Sequence, residues 1–275
     1  MLELKPFAHR TILKWVLAAA ITAAAAYYQR VTGPTYPLTG TIHIAGNQIP
    51  YRFDRSHGGG DDHLVQVPVG DAKVAGVLLW KRYKTGDEWR QVDMIRRGGL
   101  LVAALPHQPP AGKLEYRVML EEGNKRVAAP PEEPVIIRFK GDVPPSILVP
   151  HVIIIFFAML FSTRTGLECF SASPNLKKLT LWTLGLLVVG GMILGPIVQR
   201  YAFGAFWTGF PFGTDLTDNK VLIALIAWLM ATVALFKSKK PARWVLAAAI
   251  VLLVVFLVPH SLLGSELDYS KYPTQ

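Results

Sequence analysis

Two hydrophobic rhythms divide the chain. In residues 12–28, 146–162, 179–199, 221–236 and 244–263 apolar side chains run almost without interruption, whereas from about 36 to 141 they come in short alternating bursts broken by Gly, Pro and Asp. Each long run approaches the roughly 20 residues that a helix needs to cross about 30 Å of hydrocarbon at about 1.5 Å per residue. The bursts "GTIHIAG", "IPYRFDR", "HLVQVPVG", "VAGVLLWKRY", "WRQVDMIR", "LLVAALP", "LEYRVMLEE" and "VIIRFKG" read as seven or eight strands at the spacing of a β-sandwich. In "KLEYRVML", Leu114, Tyr116, Val118 and Leu120 share one face, and Glu115 and Arg117 take the other. The pattern predicts a membrane α plus all-β protein. Residues 1–28 form an anchor helix, 29–145 a β-sandwich, and 146–275 a four-helix transmembrane domain with an aromatic loop at 199–220.

Charge adds an orientation. Ten Lys and Arg residues flank one side of the five runs: Lys5, Arg10, Lys14, Arg164, Lys177, Lys178, Lys237, Lys239, Lys240 and Arg243. Only Arg200, Lys220 and Lys271 lie in the short segments of the other side. The positive-inside rule then predicts a cytoplasmic N-terminus, an outside C-terminus and an extracytoplasmic β domain, as in a multi-pass protein of a bacterial inner membrane. The first run also has the layout of a cleavable signal peptide, with basic residues before a short Ala-rich core and "AAAAYY" after it. Its "KWVLAAAI" recurs as "RWVLAAAI" at 243–250, in a run that must stay in the membrane, and retention is the expectation carried forward.

Composition trims the classes of function. A hydrophobic fraction of 51% is too high for one soluble domain. The net charge of +10 sits beside apolar runs rather than on a basic helix, so membrane orientation explains it and no nucleic-acid partner is expected. The single cysteine, Cys169, excludes an intrachain disulfide and covalent C-x-x-C-H haem attachment. Asp, Glu, Lys and Arg are missing from the centre of all five runs, against the needs of ion pumps and most proton-coupled transporters. The chain carries no Walker loop, G-x-G-x-x-G, G-x-S-x-G or H-E-x-x-H. Gly190, Gly191 and Gly195 include a G-x-x-x-G spacing, a sign of close helix packing.

The run from Val77 to Lys125, "VLLWKRYKTGDEWRQVDMIRRGGLLVAALPHQPPAGKLEYRVMLEEGNK", resembles the second half of immunoglobulin-like and fibronectin-III-like domains. Leu114-Glu115-Tyr116 matches their tyrosine corner, in which the phenol bonds back to the main chain. The resemblance implies a sandwich that binds partners or serves as a spacer, and it brings no active site with it.

Three groups of residues are candidates for chemistry. "HGGGDDH" at 57–63 offers His57, Asp61 and His63, with Asp62, as possible metal ligands, and equally reads as a solvated hairpin tip. "QRYAFGAFWTGFPFGTDLTDNK" places Tyr201, Phe206 and Trp207 among six rings punctuated by glycines, more than an interfacial aromatic belt requires, and Asp218 or Asn219 is expected to cap the helix that follows. "LVPH" occurs twice and sets His151 and His260 at equal helix-counted depth, each about 6 Å short of the outer boundary. Two such imidazoles could be the axial ligands of a haem b, or could face a quinone, with the aromatic loop against the cofactor. The order His151, "FWTGFPFGTD", His260 resembles the WWD-type haem-handling membrane proteins, although Trp207 alone represents the tryptophan-rich signature. The other reading makes both histidines packing residues. The function expected is a subunit linked to respiratory electron transfer or cytochrome biogenesis, not an enzyme by itself. Its alternative is a non-catalytic accessory protein whose sandwich binds an extracytoplasmic protein partner.

Overall fold

The computed structural model describes residues 6–272 other than Ala45, His260, Ser261 and Leu263, and the chain gathers into two compact units. One holds the chain up to Pro34, Val143–Tyr201 and Ala205–Ser265; the other holds Thr35–Asp142, Ala202–Gly204 and the chain from Glu266 onward.

The first unit is helical. Its helices are α1 (Pro6–Thr32), α2 (Pro145–Glu168), α3 (Leu176–Leu187), α4 (Gly195–Phe203), α5 (Leu216–Lys237) and α6 (Pro241–Leu257), with a π-helical stretch, Val188–Leu194, joining α3 to α4. Four spans are long and apolar enough to cross a membrane: Arg10–Thr32, Pro145–Glu168, Leu176–Phe203 and Leu216–Lys237. Helix α6 is apolar but has only 17 residues. It stops six residues before the expected 263, because Pro259 lacks an amide hydrogen and drives the residue before it out of the helical region; Val258 is extended, at φ −70° and ψ 121°. A helix rise counted from Trp244 therefore does not extend to His260, which lies outside the described residues.

Trp228, Met159, Leu187 and Leu252 are fully buried between the helices, while Ile153, Phe157, Ile226, Val233 and Ile250 remain exposed, the distribution expected of helices in contact with lipid. Small residues set the closest approaches. A Cβ on Gly191 would lie 2.7 Å from Val221 and one on Gly166 would lie 2.9 Å from Ala249, so neither position has room for a larger side chain. The buried charges keep to helix ends, with Arg164 and Glu168 late in α2 and Asp218 and Lys220 early in α5.

The second unit is built from β1 (Leu38–Ile44), β2 (Asn47–Phe53), β3 (Ser56–Gly58), β4 (His63–Pro68), β5 (Ala75–Arg82), β6 (Arg90–Asp93), β7 (Ile95–Arg97), β8 (Leu100–Leu105), β9 (Lys113–Glu122), β10 (Lys125–Ala129) and β11 (Val135–Lys140). Strands β1 and β2 pair with each other, β4, β8 and β7 form a three-stranded sheet, and the largest sheet runs β3-β11-β9-β5-β6. The long β9 lies along β5 on one edge, and its other edge is shared by β11 and β10 in succession. The alternation read in "LEYRVML" holds: Leu114, Tyr116, Val118 and Leu120 are all fully buried, in a core that also takes Ile42 and Phe53, Val65 and Leu105, and Leu78 and Ile137. All three sheets thus contribute to one apolar cluster.

Two details depart from expectation. "WRQVDMIR" is not one strand, because at Met94 the chain leaves β5 and joins β8; Met94 donates its N–H to the Gly76 carbonyl at 2.8 Å, and a Cβ on Gly76 would lie only 2.9 Å from its sulfur. The Tyr116 hydroxyl does bond to main chain, but it donates to the Asp54 carbonyl at 2.8 Å, on a segment 62 residues earlier, rather than to its own corner.

Candidate functional site

Helix α2 begins at Pro145, which puts Pro150 in the second turn rather than the first and His151 directly after it. The His151 Nδ1 lies 3.0 Å from the Gly190 carbonyl, inside the π-helical stretch. A carbonyl only accepts, so Nδ1 carries the proton and Nε2 of the neutral ring keeps its lone pair. The same carbonyl receives the Gly195 N–H, five residues on, and a Cβ on Gly190 would press at 3.0 Å on Ile154 and Ile155. Stretches of π-helix open the backbone in this way and recur at functional sites. His151 is half-buried and its hydrogen bond is to Gly190, not to Tyr201, Phe206 or Trp207. Its expected partner, His260, lies outside the described residues.

The aromatic loop is organised by carboxylates that the sequence reading assigned differently. Asp215 is the N-cap of α5 and accepts from the Thr217 N–H at 2.8 Å. Asp218, expected as a cap, turns back instead, and its Oδ2 accepts from the Thr208 N–H at 2.6 Å, the Gly209 N–H at 3.0 Å and Gln199 Nε2 at 3.0 Å. Asn219 Oδ1 holds the Phe210 N–H at 2.7 Å. Asp215 also accepts from the Ser265 N–H and hydroxyl, at 2.7 and 2.8 Å, while Lys220 donates to the Val258 carbonyl at 2.7 Å, closing the open end of α6. Burial pushes the Asp215 carboxyl up, but the Ser265, Thr217 and Asp218 donors outweigh it and hold its pKa below the usual range. The polar atoms of this network are spent on fixing backbone, and the rings are left outside. Phe206, Phe210 and Phe212 are exposed, Phe212 to 82%, while Trp207 is half-buried with its Nε1 donating to the Phe210 carbonyl at 3.1 Å.

The β unit carries a cleft of about 620 Å³ whose wall includes Trp80, Arg82, Arg90, His107, Tyr269 and Tyr272. Arg82 grips Asp87 with Nε at 2.5 Å and Nη2 at 2.9 Å, donates Nη1 to the Tyr272 carbonyl at 3.0 Å, and lies over the Tyr269 ring. Arg90 lies over the Trp80 ring. Trp80 is only 8% exposed, and its buried indole Nε1 has no hydrogen-bond partner.

Residues from Glu266 to Tyr272 complete this unit, with no signal in the alternating pattern to announce them. Leu267 donates its N–H to the Ala111 carbonyl, and the Tyr269 hydroxyl bridges the Lys113 N–H and carbonyl, both at 2.9 Å. Burial raises the Tyr269 pKa to about 12. Glu266 pairs with Lys113 at 2.8 Å and Lys84 at 3.1 Å. Burial pushes its carboxyl up, yet the two lysines outweigh that and hold its pKa below the ordinary 4.5. A carboxyl depressed by folding contributes stability above about pH 4.5 that is lost as the pH falls. Pepsin is therefore expected to cut the 266–272 segment increasingly as the pH drops below that point, and Glu266→Gln should flatten the dependence.

At one edge of the same unit His57 and His63 meet, with Nδ1 atoms 3.3 Å apart, and His57 Nε2 lies 2.9 Å from the Asp61 carbonyl. Burial and the neighbouring His57 lower the pKa of His63 against a smaller pull from Asp54. Asp61 thus comes to His57 through its main chain, and Asp62 accepts the His107 N–H at 2.8 Å. Among the described residues no group of three or more His, Cys, Asp and Glu is placed to hold a metal ion. Burial and the charge of Glu168 push the Cys169 thiol up to about 11, the opposite of the lowered pKa of a reactive thiol.

The chain matches no protein-family model, and no curated protein is similar to it.

Proposed function

We propose that the protein is a non-catalytic accessory subunit of a bacterial inner membrane, anchored by its helices with the N-terminus inside, whose extracytoplasmic β unit, an immunoglobulin-like sandwich, receives an extended segment of a protein partner. The observation that carries this reading is the cleft itself, whose wall sets Trp80, Tyr269 and Tyr272 beside two arginines. An extended peptide presents carbonyls at close intervals and suits a groove lined by aromatic and proline side chains, here Tyr269, Tyr272, Pro106 and Pro109. The guanidinium groups of Arg82 and Arg90 already cover the neighbouring rings, so the cleft is rigid before a partner arrives.

A photoreactive residue at position 90, in the full chain in intact cells, is expected to give a discrete adduct with one protein. Tyr272→Ala, which removes an exposed ring from the wall, should reduce that adduct about tenfold. No adduct, or one that Tyr272→Ala leaves unchanged, would refute the reading.

One observation favours a second reading, a haem b or quinone site at His151: the Gly190 carbonyl fixes Nδ1 as the donor and leaves Nε2 for a ligand, the usual arrangement of a metal-binding imidazole. Protein purified in detergent from haem-replete cells decides it. A b-type spectrum in dithionite, lost in His151→Ala, supports haem; a colourless protein removes it.

A further inference from the structure

We propose that His57 and His63 form a two-nitrogen binding site for a divalent zinc ion at the edge of the β unit. The rings arrive from different sheets, His57 on β3 beside β11 and His63 at the start of β4 beside β8, so backbone pairing fixes both. His57 stands edge-on to Phe139 with centroids 5.6 Å apart, and His63 is 8% exposed. Neither ring is free to wander.

Two features of the pair suit a metal ion. The first is tautomer. The Asp61 carbonyl can only accept, so His57 donates from Nε2 and turns a lone pair on Nδ1 toward His63. A carbonyl on the far nitrogen is the usual way in which proteins orient a ligating imidazole. The second is distance. Adjacent nitrogens around a tetrahedral zinc ion with bonds of about 2.0–2.1 Å are separated by about 3.3–3.4 Å. The two Nδ1 atoms are 3.3 Å apart, a separation that fits zinc and that a long N–H···N hydrogen bond also reaches. When zinc binds, His63 carries its proton on Nε2 and both Nδ1 lone pairs face the ion.

The roles within "HGGGDDH" are therefore divided. His57 and His63 ligate, Asp61 orients His57 through its carbonyl, and Asp62 holds the His107 N–H. Water completes the coordination. His63 also lines a cavity of about 400 Å³ shared with Asp54, which gives solvent a way in. A site with two protein ligands is open and exchangeable, unlike a closed structural zinc site with four.

The test is calorimetric titration of zinc chloride into the full chain in detergent, stripped with EDTA and carrying a tag without histidine. Wild type is expected to bind one ion per chain at this site, and His57→Gln should weaken binding by at least the ~10–100-fold that follows loss of even an orienting partner. His107→Gln, next to the site but not a ligand, should bind as wild type does. His63→Gln should match His57→Gln; if its buried position makes it unfold in a thermal scan, the half-exposed His57→Gln decides alone. Zinc bound no more tightly by wild type than by His57→Gln, or binding lost equally in His107→Gln, would overturn the proposal.

Discussion

Asp218→Ala is expected to lower stability by about 3–5 kcal/mol and to free the aromatic loop. The estimate follows from what the carboxylate holds. Its Oδ2 accepts from two main-chain N–H groups, of Thr208 and Gly209, and from the Gln199 side chain, in a pocket where Asp218 is 5% exposed. Each donor stranded in such a place costs about 1–3 kcal/mol, and the costs do not add fully. Thermal unfolding in detergent should show the loss as a lowered midpoint. Limited proteolysis between Phe206 and Thr214 should show the freed loop before global unfolding, because the tethers that remain hold only Thr208 and the Phe210 N–H. Asp218→Asn, which keeps an acceptor, should lose less than half as much. If the two variants behave alike, charge and not hydrogen bonding holds the loop.

A comparable loss, about 3–5 kcal/mol, is expected for Glu168→Ala. Glu168 accepts from Arg164 Nη1 at 2.7 Å and Lys14 Nζ at 3.2 Å, and Arg164 is 4% exposed beside the Trp15 ring. Removing the acid leaves a buried guanidinium without its counter-charge, which costs more than the pair contributes when intact. The double replacement Arg164→Met with Glu168→Leu should recover most of the midpoint lost by the single one. A double variant as unstable as Glu168→Ala would mean that the helix end depends on Lys14 and Ser171, which also reach Glu168 and each other, rather than on the Arg164 pair.

The strands were legible wherever burial alternates with period two, and "LEYRVML" shows why: four side chains have to enter one core, and the sequence must place them two apart. Strands β3 and β10 escaped notice because "SHG" and "KRVAA" bury little and depend on pairing with β11 and β9. The division of "WRQVDMIR" was hidden for another reason: a change of sheet depends on Gly76, on a neighbouring strand, not on the run itself. The helix runs were legible from length and hydropathy, and the early end of α6 was half-written in Pro259. The polar network was not. Asp215 and Asp218 stand three apart at the start of the same helix, either fits an N-cap by type, and only the fold of the loop sends Asp218 to Thr208 and Gly209. Of the candidate residues, His57 and His63 were visible as neighbours because they share one short loop. No periodic signal marks Trp80, Arg90 and Tyr269 as the walls of one cleft, since they lie on three separate stretches of chain.

The 266–272 segment also sets an order of manufacture. Strands β1 to β11 leave the ribosome together, early and contiguously, but the residues that bond to Ala111 and Lys113 and wall the cleft follow only after helices α2 to α6 have been made. Until the membrane helices have been synthesised, the nascent β unit lacks the segment that meets the Ala111 carbonyl, Lys113 and Arg82. A chain stalled or cut anywhere in those helices would carry every strand and still lack Tyr269 and Tyr272, so a finished cleft certifies that translation has passed through the whole membrane part.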